Sequence, residues 1–369
     1  MPWVLAAALV LLCALIVFLL TRGKPPAKSY RDAPLMGDLL PHLKSVAGEA
    51  PGAGHAGLSL HRGLLRRFEK QADFLSTLPD DELLPGAMWL CENGRYLQEK
   101  MVSAMADSRG VRGLPTSKDG GSRILRFARE YVGHRMAEIH LEPLGKALAA
   151  WQEVSTFSQR EIGLLPLALR IALLDVISEM TALLAAEQHS RLKARQLVRF
   201  LHHQKEKQSL RIFAAHRHEP AFLERLLSEM HRQEEGQQIL WLERYFNQND
   251  LSADKLTRSE HQHQTDNSLW IGNAITSLRA IDHAPWEQLL EEWSPLHAQL
   301  SQDAVYPAMD MESRAYYREC IHRLSRLTHK PELTVCGAAM TLSRADHPES
   351  LMHHVGYYLL DEGRDSLLS

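Results

Sequence analysis

The chain has 369 residues, of which 45% are hydrophobic and 24% are charged, as in globular rather than disordered proteins. A formal net charge of −3 gives no overall basic field, so the composition argues against a nucleic-acid-binding protein. The four cysteines show neither paired nor metal-type spacing, which fits a reducing compartment.

Residues 1–21 predict a transmembrane anchor. The apolar run from Pro2 to Leu20 contains no charged residue, and as a helix it would extend about 28 Å, close to the hydrocarbon thickness of a bilayer. A cleaved signal peptide is the alternative, but it would place basic residues before a shorter apolar core. Here the positive charges follow the run, beginning with Arg22 and Lys24, so the N-terminus is expected outside and the body in the cytoplasm.

Residues 22–58 are rich in Pro, Gly and Ala and predict a flexible tether with one short helix at 35–46. Gly52, Gly54 and Gly57 match the G-x-G-x-x-G pattern of dinucleotide-binding loops. That pattern binds a dinucleotide where it follows a strand and opens a helix, and the preceding Gly-Glu-Ala-Pro predicts no strand. We therefore interpret these glycines as linker residues and expect no cofactor.

Residues 59–369 predict an all-α body, because apolar residues recur at helical spacing and no run of alternating β-branched residues predicts a sheet. A domain sub-boundary is expected near 208–218. Helices are expected over 82–105, 219–246, 253–282, 285–301, 311–327, 331–344 and 348–361. The predicted architecture is thus an N-terminal transmembrane helix, a tether and a multi-helix cytoplasmic bundle.

Ser158 and Glu161 have the spacing of a capping box, in which each side chain accepts a hydrogen bond from the other residue's backbone amide. The box precedes a long apolar stretch over 162–186 that we expect to form a buried helix. Pro166 lies beyond the first turn of that expected helix and therefore predicts a kink.

Neighbouring histidines occur as four pairs, which do not predict a metal site. A zinc site needs three or four converging ligands, commonly with an i,i+4 pair, whereas adjacent or i,i+2 residues point in different directions on a helix. The pairs are His202/His203, His216/His218, His261/His263 and His353/His354. We interpret them as exposed or packed side chains and expect no metal.

Acidic residues occur as sequence neighbours, namely Glu234/Glu235, Glu291/Glu292 and Asp310/Glu312. Such neighbours do not predict two carboxylates held across the cleft of a glycoside hydrolase. The chain also lacks an Asp-x-Asp motif, which a nucleotide-sugar transferase would use for the metal that bridges the diphosphate. With no nucleophile beside an activating residue, no catalytic site is expected.

The segment from Trp270 to Arg279 predicts a tight helix-packing surface. Its apolar stripe consists of Ile271, Ala274, Ile275 and Leu278. Gly272 is expected to let another helix approach closely. Asn273 and Arg279 are polar and would need hydrogen-bonding partners if buried.

Five segments of the body, taken in order, carry a resemblance to a known family. They are residues 92–100, 161–174, 271–279, 305–310 with 313–318, and 354–364, which we call the matching segments. They resemble the region ahead of the glucosyltransferase domain in bacterial cyclic β-1,2-glucan synthases, large inner-membrane enzymes that use UDP-glucose. The resemblance implies an inner-membrane location and a glucosyltransferase domain or subunit as partner, with β-1,2-glucan as a further candidate ligand.

The transferase motifs of that family lie beyond the last matching segment, and this chain ends at Ser369 without them. The resemblance therefore implies a non-catalytic scaffold or regulatory module, truncated or split from the synthase. The alternatives are a free-standing membrane-tethered interaction module unrelated to glycan synthesis and an independent hydrolase. Four polar positions of the matching segments, without an assigned chemical role, are the candidate site residues: Asn273, Arg279, Asp310 and Arg314.

Overall fold

The computed structural model describes residues 30, 39–52, 54–60, 62–203, 205–232, 244–245, 247–248, 253–345 and 351–368. These residues are mostly helical, which confirms the predicted all-α class. The predicted anchor at 1–21 lies outside the described residues. Within the described ranges, no helix combines the length and apolar character needed to cross a membrane.

The α-helices of the described ranges are, in chain order, α1 (Leu39–Ala47), α2 (Arg62–Ser76), α3 (Pro85–Asp107), α4 (Arg123–His134), α5 (Leu141–Gln152), α6 (Gln159–Gly163), α7 (Leu165–His202), α8 (Glu206–His216), α9 (Pro220–Arg232), α10 (Ala253–His283), α11 (Trp286–Glu292), α12 (Pro295–Leu300), α13 (Met311–Thr328), α14 (Glu332–Arg344), α15 (Val355–Leu360) and α16 (Arg364–Leu368). Short 3₁₀ helices lie at Asp80–Glu82, Tyr306–Ala308 and Leu351–His353.

A two-residue ladder interrupts the helical pattern, with β1 (His55–Ala56) antiparallel to β2 (Leu114–Pro115). Next to it, the Gly52 amide donates to the Thr116 carbonyl at 3.2 Å, and the Thr116 hydroxyl donates to the Gly52 carbonyl at 2.6 Å. The glycine-rich segment therefore pairs with the loop that follows α3. It does not open a helix in the manner of a dinucleotide-binding loop.

Part of the segment that we predicted as a tether packs onto the helical body. α1 contacts α4 and α5, and its Leu43 side chain is fully buried in the main core. Leu58, just after β1, lies in the same core with 1% exposure. Leu39, Leu43 and Ala47 follow one another at i,i+4 spacing, so they share one apolar face that outweighs the surrounding Pro and Gly content.

The capping box is confirmed. The Ser158 hydroxyl oxygen accepts from the Glu161 amide at 3.3 Å, and the Glu161 carboxylate accepts from the Ser158 amide at 3.0 Å. It opens only the single-turn helix α6, which ends at Gly163. Since α7 starts afresh at Leu165, Pro166 occupies a first turn, and the predicted kink at this residue is wrong.

α7 spans 38 residues and forms part of two cores. Its first half, over 165–184, buries apolar side chains against α2, α3, α4 and α10 in the main core. Its second half packs on α8 and α9 in a smaller core around Phe213 and Phe222. The region near 208–218, where a sub-boundary was expected, belongs to α8 and the turn after it, beside this smaller core.

A third core lies among α12, α13, α14 and α15, where Leu300, Tyr306, Ile321 and Cys336 are fully buried. The turn after α11 links this part to the main body, because the Trp293 carbonyl accepts from the Gln152 side chain of α5 at 3.1 Å.

The apolar stripe predicted on α10 is confirmed. Its buried residues are Ile271, Ala274, Ile275 and Leu278. The role predicted for Gly272 is wrong, because no described heavy atom other than those of its chain neighbours and its own helix backbone lies within 4 Å of the position that a Cβ would take there. Gly272 follows Ile271 by one residue and so faces about 100° away from it. The close approach is made by Gly86 of α3, whose added Cβ would lie 3.2 Å from Ile271 Cδ1.

Candidate functional site

Two arginines of a matching segment converge on one buried carboxylate, Glu291 of α11, which is 7% exposed. Arg314 donates from Nε to Oε1 at 3.0 Å and from Nη2 to Oε2 at 2.8 Å. Arg318 donates from Nη1 to Oε1 at 2.6 Å. The i,i+4 spacing of the two arginines places both guanidiniums on the same face of α13. We call this group the Glu291 network.

The Glu291 network holds its carboxyl group in the ionised form. The hydrogen bonds from Arg314, together with the bond and positive charge of Arg318, lower the pKa of Glu291 to about 2 despite the opposing effect of burial. Arg318 also donates to the Tyr306 hydroxyl at 2.7 Å. Burial raises the pKa of that phenol, so Tyr306 stays neutral and accepts.

A second buried carboxylate, Asp303, ties two matching segments together. It accepts from the backbone amides of Tyr306 and Val355, each at 3.0 Å. Nδ1 of His354 lies 2.9 Å from its Oδ1, and Nε2 of the same ring lies 3.0 Å from the Tyr317 hydroxyl. Burial alone would raise the pKa of Asp303, but the hydrogen bonds from His354 and the backbone amides hold it well below its usual range.

Asp310, a candidate site residue, is the N-cap of α13. Its Oδ1 accepts from the Ser313 amide at 2.8 Å, and its Oδ2 accepts from the Ser313 hydroxyl at 2.8 Å. The hydrogen bonds from Ser313 lower the pKa of this carboxyl group. Asp310 therefore fixes the start of the helix that carries Arg314 and Arg318.

Two of the matching segments meet at Asp282, which lies near the end of α10 and three residues beyond a third segment. Lys100 Nζ of α3 lies 2.6 Å from Asp282 Oδ2, and the Tyr96 hydroxyl donates to the same oxygen at 3.2 Å. Arg170 Nη2 of α7 lies 3.7 Å from Oδ1. This group, the Asp282 network, joins α3, α7 and α10.

The candidate residues Asn273 and Arg279 also lie on α10 but contact different neighbours. Arg279 donates to the Asn93 side-chain oxygen at 2.7 Å, and its guanidinium lies 5.4 Å from the Tyr96 ring centroid. Asn273 donates to the Met136 carbonyl at 3.0 Å. Met136 has a φ of 49°, so Asn273 holds a left-handed turn that follows α4.

The structure therefore does not bring the four candidate residues together. Arg314 belongs to the Glu291 network, Asp310 caps the helix that carries it, Arg279 contacts Tyr96 of the Asp282 network, and Asn273 holds the turn after α4. A general acid needs a raised pKa, whereas Glu291, with a pKa of about 2, stays ionised near neutral pH. Both networks are built from ion pairs and hydrogen bonds between helices, a geometry suited to fixing helix positions.

The histidine pairs occupy separate surroundings. Nδ1 of His216 lies 3.0 Å from a Glu219 carboxylate oxygen, while His261 and His263 are exposed on α10. The acidic pair Glu234/Glu235 lies outside the described residues.

Sequence reasoning missed one group that could hold a metal ion: His42, Glu130 and His134. Its visible signal was the i,i+4 spacing of Glu130 and His134, whereas His42 lies 88 residues before Glu130.

The chain is similar to a cyclic β-(1,2)-glucan synthase, NdvB of Rhizobium meliloti. The two sequences are 26% identical over 271 residues, which is 70% of this chain and 10% of the synthase. The chain thus spans about a tenth of the length of this relative. No protein-family model matches the chain. The similarity supports a distant relation to a cyclic glucan synthase.

Proposed function

We propose that this chain is a non-catalytic helical module that scaffolds or regulates a membrane glucosyltransferase of the cyclic β-1,2-glucan synthase type. The similarity to NdvB, 26% identity over 271 residues, carries the proposal. The Glu291 and Asp282 networks support it, since side chains of the matching segments are used to join helices. Such joints keep the surface that a partner binds in a fixed shape.

We further propose that residues 1–21 attach the module to the bacterial inner membrane, with the body on the cytoplasmic side. The apolar run and the positive charges that follow it support this orientation. Alkaline extraction of membranes should leave the full-length chain in the pellet and release a version that starts at residue 22. Complete release of the full-length chain would contradict the anchor.

Co-purification tests the partnership. A tagged full-length chain, solubilised from bacterial membranes in mild detergent, should retain the glucosyltransferase polypeptide. Glu291→Gln should weaken this retention because it loosens a helix joint, whereas Glu292→Gln, at an exposed neighbouring position, should not. If the unaltered chain retained no glucosyltransferase, the scaffold role would be refuted.

Deletion of the gene separates the proposal from a free-standing interaction module. Reduced periplasmic β-1,2-glucan is the expected result, and an unchanged level would favour the free-standing module. The purified chain should neither incorporate sugar from UDP-glucose nor release sugar from β-1,2-glucan. Release of sugar would instead identify a hydrolase.

A further inference from the structure

Three side chains of metal-binding type meet where α1 packs against α4. Glu130 and His134 lie one turn apart on α4, and His42 faces them from α1. One possible ligand atom from each residue lies within 4.8 Å of the other two. Nε2 of His42 is 2.9 Å from Oε2 of Glu130, and the two imidazole centroids are 4.4 Å apart.

The surroundings of His134 select its tautomer. Nδ1 lies 2.9 Å from the backbone carbonyl oxygen of Glu130, which is only an acceptor, so this nitrogen carries a proton and donates. The neutral ring then has its lone pair on Nε2. A metal-bound histidine commonly donates its other N–H to a carbonyl in this way. The side chain is 1% exposed, so packing fixes the ring in place.

The charges around Glu130 favour a bound cation. Arg126 donates from Nε to Oε1 of Glu130 at 3.2 Å, which orients the carboxylate so that Oε2 faces His42. The same guanidinium lies 3.4 Å from a Glu49 oxygen and 3.5 Å from an Asp119 oxygen. One positive charge is therefore shared among three carboxylates, and this group keeps an excess of negative charge when the histidines are neutral.

We propose that His42, Glu130 and His134 bind a divalent transition-metal ion, zinc by preference, which fastens α1 to α4. Two imidazoles and one carboxylate are a known zinc ligand set with a fourth position left open. Bonds of about 2.0–2.2 Å in tetrahedral geometry would place the ligand atoms roughly 3.3 Å apart. The value lies between the 2.9 Å that separates His42 from Glu130 and the 4.8 Å limit for the group, so the spacing of these side chains fits a zinc ion.

The ligand chemistry separates zinc from the harder cations. Calcium and magnesium prefer sites built from oxygen atoms, whereas imidazole suits zinc and its transition-metal neighbours. The bound ion would act on packing, because His42 belongs to α1 and its two partners belong to α4. The ion would hold α1 against α4.

Metal titration of the full-length chain in detergent, after removal of metal by a chelator, tests the site with Zn²⁺ and Co²⁺ as probes. The unaltered chain should give a visible Co²⁺ absorption band that Zn²⁺ abolishes. His42→Gln and Glu130→Gln should weaken zinc binding by more than about tenfold. His140→Gln is the matched control, because His140 makes a surface pair with Glu138 at the same 2.9 Å.

Hydrogen exchange of α1 provides a second measurement that does not depend on the absorption of bound Co²⁺. Zinc should slow amide exchange over 39–47 in the unaltered chain and in His140→Gln, but not in His42→Gln. His42 is used because its side chain is 26% exposed and its replacement leaves the core intact. Equal zinc affinity in His42→Gln and the unaltered chain, or no cobalt band in the unaltered chain, would overturn the proposal.

Discussion

Replacement of Glu291 by glutamine removes the negative charge that two guanidiniums share, with almost no change in side-chain volume. Arg314 and Arg318 donate to its carboxylate over 2.6 to 3.0 Å, and Arg318 is only 4% exposed. Breaking a buried pair leaves an uncompensated charge away from water, which typically costs about 3–5 kcal/mol. Glu291→Gln should therefore destabilise the third core by about that amount.

The pKa of Glu291 gives a second way to calculate how much this carboxylate stabilises the fold. Its fall from 4.5 to about 2 corresponds to roughly 3 kcal/mol, at about 1.4 kcal/mol for each pH unit. Because the pKa is lower in the folded state, this stabilisation is fully present above pH 4.5 and is lost as the pH falls toward 2. Asp303, whose pKa is also lowered, contributes in the same direction. Glu291→Gln should therefore lose less stability on acidification than the unaltered chain.

Native-state hydrogen exchange over 311–344 measures the effect where it arises. A loss of about 3 kcal/mol in opening free energy would accelerate exchange there by roughly 150-fold. The control is Glu292→Gln at the exposed neighbouring position, which should stay within about 0.5 kcal/mol of the unaltered chain. A loss below about 1 kcal/mol in Glu291→Gln, or an equal loss in the control, would refute the reasoning.

Gly272→Ala should stabilise α10 by about 0.5–1 kcal/mol, because within 4 Å the added methyl group meets only its chain neighbours and its own helix backbone among the described residues. Gly145→Ala should instead destabilise by about 1–3 kcal/mol, since its Cβ would lie 2.8 Å from Nε1 of Trp293. Thermal unfolding midpoints distinguish the two, and shifts of the same sign would contradict the packing described. Ser158→Ala should lower the free energy of unfolding, measured with denaturant, by about 1 kcal/mol. An unchanged value would show that Glu161 caps α6 without the Ser158 hydroxyl.

The elements that could be predicted from sequence depend on residues close together in the chain. The stripe on α10 follows from helical periodicity, and the capping box follows from two residues three positions apart. The apolar run over 162–186 shows no break, and it therefore predicts one helix with a kink at Pro166. In the structure α6 ends at Gly163 and α7 begins at Leu165. Local hydrogen bonds at the end of α6, which the apolar pattern does not encode, decide that boundary.

Arg314 could be named from the sequence, but the carboxylate that it binds could not, because the two residues are distant in the chain. The residues next to Glu291 in the sequence do not distinguish it from an exposed acidic residue. Its arginine partners lie 23 and 27 residues later. His42 likewise gives no signal by itself, because Glu130 lies 88 residues away. In both cases the packing of helices, and not a motif, selects which polar side chain is buried.

The single-turn helix α6 joins the main core to the third core. Glu161 is fully buried there and pairs with Arg123 of α4 at 2.7 Å, which ties the turn to the main core. Two residues earlier, the Gln159 amide donates to the Glu332 carboxylate of α14 at 2.7 Å, which ties the same turn to the third core. A matching segment thus begins at the joint between the cores.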